Sequence, residues 1–250
     1  MAANEPMAAK ESMAAQRISQ WRHVFKLDPD KDLDDAALER VCVSGTDAIL
    51  VGGSSGVTYD NTAELLSRIR RFSVPCALEV SSMEAIVPGF DLYLIPVALN
   101  AADRDWILGL HHEAVMKYGA RMPWPLILTE GYVILNPAST AARLTGAMTG
   151  LNGEELAAYA RLAEHLFRMP VFYVEYSGMF GDMDKVAAIK RVLKQTRLFY
   201  GGGIDSYEKA AQAAAVADTI VVGNVIYADI DRALETVRVK TMGKGTDRNE

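Results

Sequence analysis

Three groups of residues in this sequence have types and spacings that could act together on a phosphorylated substrate. Lys26 and Asp28 stand two apart in His-Val-Phe-Lys-Leu-Asp, residues 23–28, a run that reads as a short strand stopped by Pro29. Side chains alternate across a strand, so Lys26 and Asp28 share one face while Phe25 and Leu27 take the other. A cation and a carboxylate at a strand end are costly inside a protein unless they face a ligand. Glu175 shares its parity with Tyr173 and Ser177 in the run 171–178, so all three project to one side. A carboxylate there is placed to bind hydroxyls and to accept a proton. The runs 198–203 and 219–224 end in Gly201-Gly202-Gly203 and Gly223-Asn224. Backbone N–H groups close on a phosphate dianion only where no Cβ intervenes, so these turns point to a phosphate cradle.

The elements that must position these residues can be counted. If the runs at 171–178, 198–203 and 219–224 are strands six, seven and eight, five more lie upstream: 23–28, 48–53, 76–81, 92–99 and 130–136. Helical patterns separate most of them, at 34–43, 61–72, 105–118, 154–167, 183–195 and 206–216, with a closing helix at about 226–239. Residues 82–91, containing Pro88-Gly89, are too short and broken for a normal helix, so the third helix is replaced by an irregular segment. Residues 138–152, rich in Ser, Thr, Gly and Ala, read as a loop long enough to be a lid. The pattern is a single (β/α)8 TIM barrel, whose phosphate sites follow strands seven and eight.

Composition agrees with one large core. The chain has 250 residues, half of them hydrophobic, and no apolar run approaches the ~18 residues a bilayer span requires. A net charge of −6 without a basic stripe argues against nucleic acid. Cys42 and Cys76 sit in apolar contexts without a CxxC spacing and read as buried, inert thiols. With no secretory signal, they point to the cytoplasm. Met-Ala-Ala recurs at 1–3, 7–9 and 13–15, so residues 1–20 read as a frayed extension, 21–240 as the catalytic barrel and 241–250 as a flexible tail.

Seven segments in order carry a resemblance: residues 21–29, 44–47, 51–54, 86–91, 173–178, 200–203 and 222–224. Together they resemble the geranylgeranylglyceryl phosphate synthase family, in particular its bacterial PcrB-type branch, the heptaprenylglyceryl phosphate synthases. The resemblance covers roughly residues 21–240 and implies a barrel with an irregular third helix. It also implies a Mg2+-dependent prenyltransferase that joins sn-glycerol 1-phosphate to a long polyprenyl diphosphate, heptaprenyl in this branch, through an ether bond with release of diphosphate. Lys26, Tyr173, Val174, Glu175, Tyr176, Ser177, Gly178, Gly203, Gly223 and Asn224 fall where the family holds glycerol 1-phosphate. Asp28 and Ser54 fall where it holds the magnesium and diphosphate. The resemblance further implies a homodimer, and a lipid product implies transient contact with the membrane surface.

The chemistry asks for such residues. Cleavage of an allylic C–O bond loads charge on the leaving diphosphate, and a hard cation on oxygen ligands neutralises it. Glu175 can be the base, a substrate ligand or a barrel ion pair; Lys26 can be catalytic or only the partner of Asp28. Glu79 is open between layer packing and function, and Tyr132 reaches the same pocket if its face is right. His111 and His112, adjacent on a helix, cannot share a metal and read as surface residues. Gly109 and Ala114 are small enough to leave room for a prenyl tail. Competing readings are a phosphate-binding isomerase or flavin oxidoreductase on the same barrel, or a non-catalytic binder of lipid precursors.

Overall fold

The computed structural model describes residues 13–241. Eight parallel strands close in sequence order: β1 (His23–Leu27), β2 (Ala48–Val51), β3 (Cys76–Glu79), β4 (Leu92–Ala98), β5 (Ile127–Ile134), β6 (Val171–Glu175), β7 (Arg197–Gly201) and β8 (Thr219–Val222). The register closes the ring on itself, with Lys26 beside Leu50, Glu130 beside Val171, Tyr132 beside Tyr173 and Phe25 beside Val222. Alternation divides the core in two. Val24, Leu50, Ala77, Leu94, Tyr132, Tyr173, Phe199 and Val221 fill the barrel. Phe25, Leu27, Val51, Leu78, Val133, Phe172, Val174 and Val222 pack outward against the helices.

The helices are α1 (Met13–Ile18), α2 (Asp35–Val43), α3 (Tyr59–Ile69), α4 (Gly109–Tyr118), α5 (Thr140–Thr145), α6 (Gly153–Arg161), α7 (Met183–Val192), α8 (Tyr207–Ala214), α9 (Val225–Ala228) and α10 (Ile230–Glu235). Side-chain caps fix the starts of most of them, though not those of α4 and α9. Asp34 accepts from the Ala37 N–H, and Thr58 with Asn61, and Asn152 with Glu155, form capping boxes. Between β3 and β4 there is only a single 3-10 turn, Met83–Ala85, so the degraded helix is real.

Five expectations need correction. The fold begins before residue 21: Ala14 and Ile18 of α1 are fully buried with Trp21 beneath the barrel. Residues 1–12 and 242–250 lie outside the described residues, so the expected extension and tail are described only at 13–20 and 241. The segment 138–152 is not wholly loop, because Ser139 caps α5, which ends at Gly146 in a left-handed turn (φ 61°). The sixth helix is α-helical only to Arg161; a wider π turn, Leu162–Leu166, follows, with Glu164 turned in to accept from the backbone N–H groups of Lys194, Gln195 and Thr196. The closing helix is two pieces broken at Asp229, which caps α10. Strand five also sits three residues earlier than expected, at 127–134.

Candidate functional site

A cavity of about 590 Å³ opens at the C-terminal ends of the strands. Ten of the twelve residues singled out from sequence line it: Lys26, Asp28, Ser54, Tyr173, Glu175, Ser177, Gly178, Gly203, Gly223 and Asn224. Val174 and Tyr176 do not. Their side chains alternate outward, Val174 into the outer core and Tyr176 against the ring of Tyr200. The run 173–178 therefore reaches the cavity through the alternate side chains of Tyr173, Glu175 and Ser177, and through Gly178 at the turn.

The floor is polar and buried. Glu175, 6% exposed, accepts the Tyr132 hydroxyl on Oε2 at 2.7 Å. The Tyr132 ring stacks on Tyr173 with centroids 4.7 Å apart, so the open question about Tyr132 is settled: it faces inward. Burial pushes the Glu175 carboxyl above its ordinary range, against the opposing pull of Lys26 and of the Tyr132 hydrogen bond. Lys26 is not the partner of Asp28. Its ammonium pairs across the barrel with Glu79, and lies 5.8 Å from the centre of the Tyr173 ring. Burial opposes the charge on Lys26, yet the surrounding carboxylates of Glu79 and Glu175 more than offset it and raise its pKa.

Beneath this floor lies a residue that the sequence reading passed over. Glu130 is fully buried, and neither of its carboxyl oxygens has a hydrogen-bond partner among the described residues. Burial first, then the charge of Glu79, push its pKa well above the ordinary carboxylate value, so the site favours the neutral form. Its parity with Tyr132 was the available signal, but both faces of strand five mix apolar and polar residues and parity alone does not say which face is inside.

The rim is built from turns that only glycine can make. Gly202 and Gly203 have φ of 151° and 56°, and a Cβ on Gly203 would fall 2.1 Å from the Phe180 nitrogen. Close packing of the β7 turn on residues 179–180 thus demands glycine there. Gly223 differs: a Cβ would meet nothing nearer than the Lys26 carbonyl at 3.5 Å, so its missing side chain leaves open cavity instead of a packing contact. The N–H groups of Gly203, Gly223 and Asn224 enter none of the backbone hydrogen bonds that tie the neighbouring turns. Asn136, beyond β5, donates to the Ser177 carbonyl and fixes the turn that carries Gly178 (φ 85°).

Across the mouth, Asp28 lies against the α-carbon of Gly53, where a Cβ would stand 2.3 Å from Oδ1. Oδ1 accepts the Asp30 N–H at 3.1 Å, and burial raises the pKa of the carboxyl. Ser54 is exposed at the end of β2 beside it. Among the described residues no three His, Cys, Asp or Glu side chains cluster as a metal site. Asp28 and Ser54 nevertheless present hard oxygens on an open rim cleared by Gly53. That suits an ion such as Mg2+, which takes few protein ligands and completes its shell with phosphate and water.

The remaining residues stand apart. His111 donates its Nε2–H to the Pro96 carbonyl, 3.0 Å away, and is half-buried, whereas His112 is exposed. Gly109 packs on the Asp105 carboxyl, so its small size has a local cause, and neither it nor Ala114 lines the cavity. Cys42 and Cys76 are buried free thiols, raised by burial, Cys42 to about 11. No helix among the described residues is long and apolar enough to cross a membrane.

Known proteins share this architecture. The PcrB family profile matches residues 16–242. The chain is 58% identical over 222 residues to heptaprenylglyceryl phosphate synthase from Geobacillus kaustophilus, covering 89% of this chain and 93% of that one. It is likewise 58% identical over 221 residues to the protein of the same name from Bacillus licheniformis, covering 88% and 97%. Among solved structures, (S)-3-O-geranylgeranylglyceryl phosphate synthase from Thermoplasma acidophilum, in complex with its substrate sn-glycerol-1-phosphate, superposes with a TM-score of 0.80 at 23% identity, over 90% and 96% of the two chains. The tryptophan synthase alpha subunit of Legionella pneumophila shares the fold more distantly, with a TM-score of 0.52 at 14% identity.

Proposed function

The chain belongs to the PcrB family, and on that premise we propose that it is a prenyltransferase joining sn-glycerol 1-phosphate to a long polyprenyl diphosphate, with heptaprenyl diphosphate as donor. One observation carries this reading: Glu175, a buried carboxylate, shares a single cavity with the glycine turns at Gly203 and Gly223 and with the open oxygens of Asp28.

The phosphate of the acceptor sits against the N–H groups of Gly203, Gly223 and Asn224, which are free of other backbone bonds. Its glycerol end reaches down to Glu175 and Tyr173. Tyr132 holds Glu175 through Oε2, and the attacking hydroxyl meets the carboxylate from the cavity side. Burial raises the basicity of that carboxylate, which suits a general base. As the new C–O bond forms, the hydroxyl proton passes to Glu175, and the allylic C–O bond breaks with its electron pair going to diphosphate. Lys26, backed by Glu79, holds positive charge beside the acceptor. Asp28 and Ser54 would hold Mg2+ with the diphosphate, where the ion neutralises the charge of the leaving group.

The donor's tail leaves along the flank after β4, where Leu108, Val115 and Met116 are exposed on or beside α4, and Trp124 just after it. We assign that apolar flank also to the homodimer contact, and the delivery of a lipid product to a transient approach to the bilayer surface. Incubation with radiolabelled glycerol 1-phosphate, Mg2+ and a series of donors from farnesyl to heptaprenyl diphosphate tests the proposal. An organic-extractable product, largest with the longest donor, supports it; label that stays in the aqueous phase with every donor refutes it.

A further inference from the structure

The cavity wall holds a cation that the mechanism above leaves unused. Lys31 lies in the turn after β1 and lines the mouth. Its Nζ donates to Asn224 Oδ1 at 3.0 Å and stands 5.0 Å from the centre of the Tyr227 ring. That ring is itself held, because the Tyr227 hydroxyl accepts the Asp28 N–H at 2.8 Å. An ammonium has three N–H donors, and only one is occupied here. Lys26, Lys190 and Lys209 each have a carboxylate partner, but Lys31 takes part in none of the ion pairs among the described residues. The cation is therefore positioned by the β8 turn with no carboxylate in ion-pair contact among the described residues, the charge of Asp28 reaching it only at longer range. Beside it lie the N–H groups of Gly223 and Asn224, which no neighbouring backbone carbonyl accepts.

We propose that Lys31 is a phosphoryl-binding residue, whose ammonium takes an anionic oxygen of a phosphorylated substrate at the cavity mouth. The proposal rests on the reading of Gly223 and Asn224 as a phosphate seat. Backbone N–H dipoles offer direction but no full charge, and Lys26 is already committed to Glu79. Lys31 supplies the missing unit of charge on the outer side of the same seat. Its bond to Asn224 keeps it there before substrate arrives, and the flat face of Tyr227 favours a cation without competing for its hydrogens. Two phosphorylated moieties enter this cavity, the monoester of the acceptor and the diphosphate of the donor. Proximity to Asn224 favours the monoester.

The test is steady-state kinetics of wild type, Lys31→Met and Lys31→Arg, with each substrate varied while the other is saturating. Calorimetric titration with inorganic phosphate is run alongside on each protein. Lys31→Met is expected to raise KM for glycerol 1-phosphate about tenfold or more, the scale of a lost charge-assisted hydrogen bond. It should weaken inorganic phosphate similarly, leave the melting temperature unchanged, and be largely rescued by Lys31→Arg. A rise confined to the KM of the prenyl diphosphate supports phosphoryl binding and assigns it to the leaving group. Unchanged KM for both substrates together with unchanged phosphate affinity overturns the proposal, while turnover by wild type keeps the parent reading intact. If wild type fails to turn over, the phosphate titration still decides for or against Lys31.

Discussion

The rim built by β6, β7 and β8 and the flank built by α4 are opposites in how they are finished. On the rim, every turn is pinned: Gly203 is pressed onto Phe180, Asn136 holds the Ser177 carbonyl, and Tyr200 accepts the Gly181 N–H at 2.7 Å. On the flank, α4 has no buried residue, and Leu108 and Met116 stand 69% and 73% exposed. A rigid rim with unspent backbone donors suits a small, charged, invariant ligand. A loose apolar flank suits something long, greasy or variable, which a fixed cradle could not accommodate. The two halves of one substrate pair, a phosphorylated alcohol and a prenyl chain, would ask for that division.

The comparison can be broken first at the rim. Glu175→Gln keeps the shape and the Tyr132 contact but removes the base. Turnover should fall roughly 10²- to 10⁴-fold with little change in KM for the acceptor. A loss of less than tenfold would make Glu175 a mere ligand and leave the rim without a proton acceptor.

The barrel interior beneath the rim gives a smaller effect, read as stability. Burial raises the pKa of Glu130 in the folded chain, whereas the unfolded chain ionises it in the ordinary carboxylate range. The folded state then binds the extra proton, and stability declines as pH rises from that range towards the elevated folded pKa. Glu130→Gln should match wild type near pH 4 and melt higher near pH 8, with each kcal/mol of difference appearing as about 2–4 °C. Thermal melts across that range check it; a variant that melts lower at pH 8 would mean that Glu130 is ionised and paired.

The flank should show the most specific change and the least loss. Ala114→Trp, at a half-buried position of α4, is expected to shift donor preference towards shorter prenyl chains while turnover with a short donor stays within a few-fold. Unchanged preference in a competition among donors would remove α4 from the path of the chain.

Much of this was legible in the chain itself, for identifiable reasons. The barrel could be counted because its strands are apolar runs ended by Pro, Gly or Asn, and because Pro88-Gly89 forbids a regular helix. Parity put Lys26, Asp28, Tyr173, Glu175 and Ser177 inward. Naming 173–178 as a block overrode that same parity, which is why Val174 and Tyr176 were counted with the site although both face the helices. Partners across the barrel were beyond sequence: parity says that Lys26 faces in, but only the stagger of the closed sheet brings it to Glu79 instead of Asp28. Lys31 was missed because its significance lies in Asn224 and Tyr227, nearly two hundred residues away. The loop at 138–152 hid α5 because a six-residue helix shows too little periodicity to be read.

The central claim is that the late-strand glycine turns seat the phosphate of a small alcohol. Gly223 tests it most directly, because a side chain there would enter the cavity without touching the packing that Gly203 requires. Calorimetric titration of sn-glycerol 1-phosphate into wild type and Gly223→Val, with no prenyl donor present, is the decisive measurement. The expected result is saturable binding to wild type and none to the variant, at equal melting temperature. Equal binding to both would place the phosphate elsewhere and contradict the account.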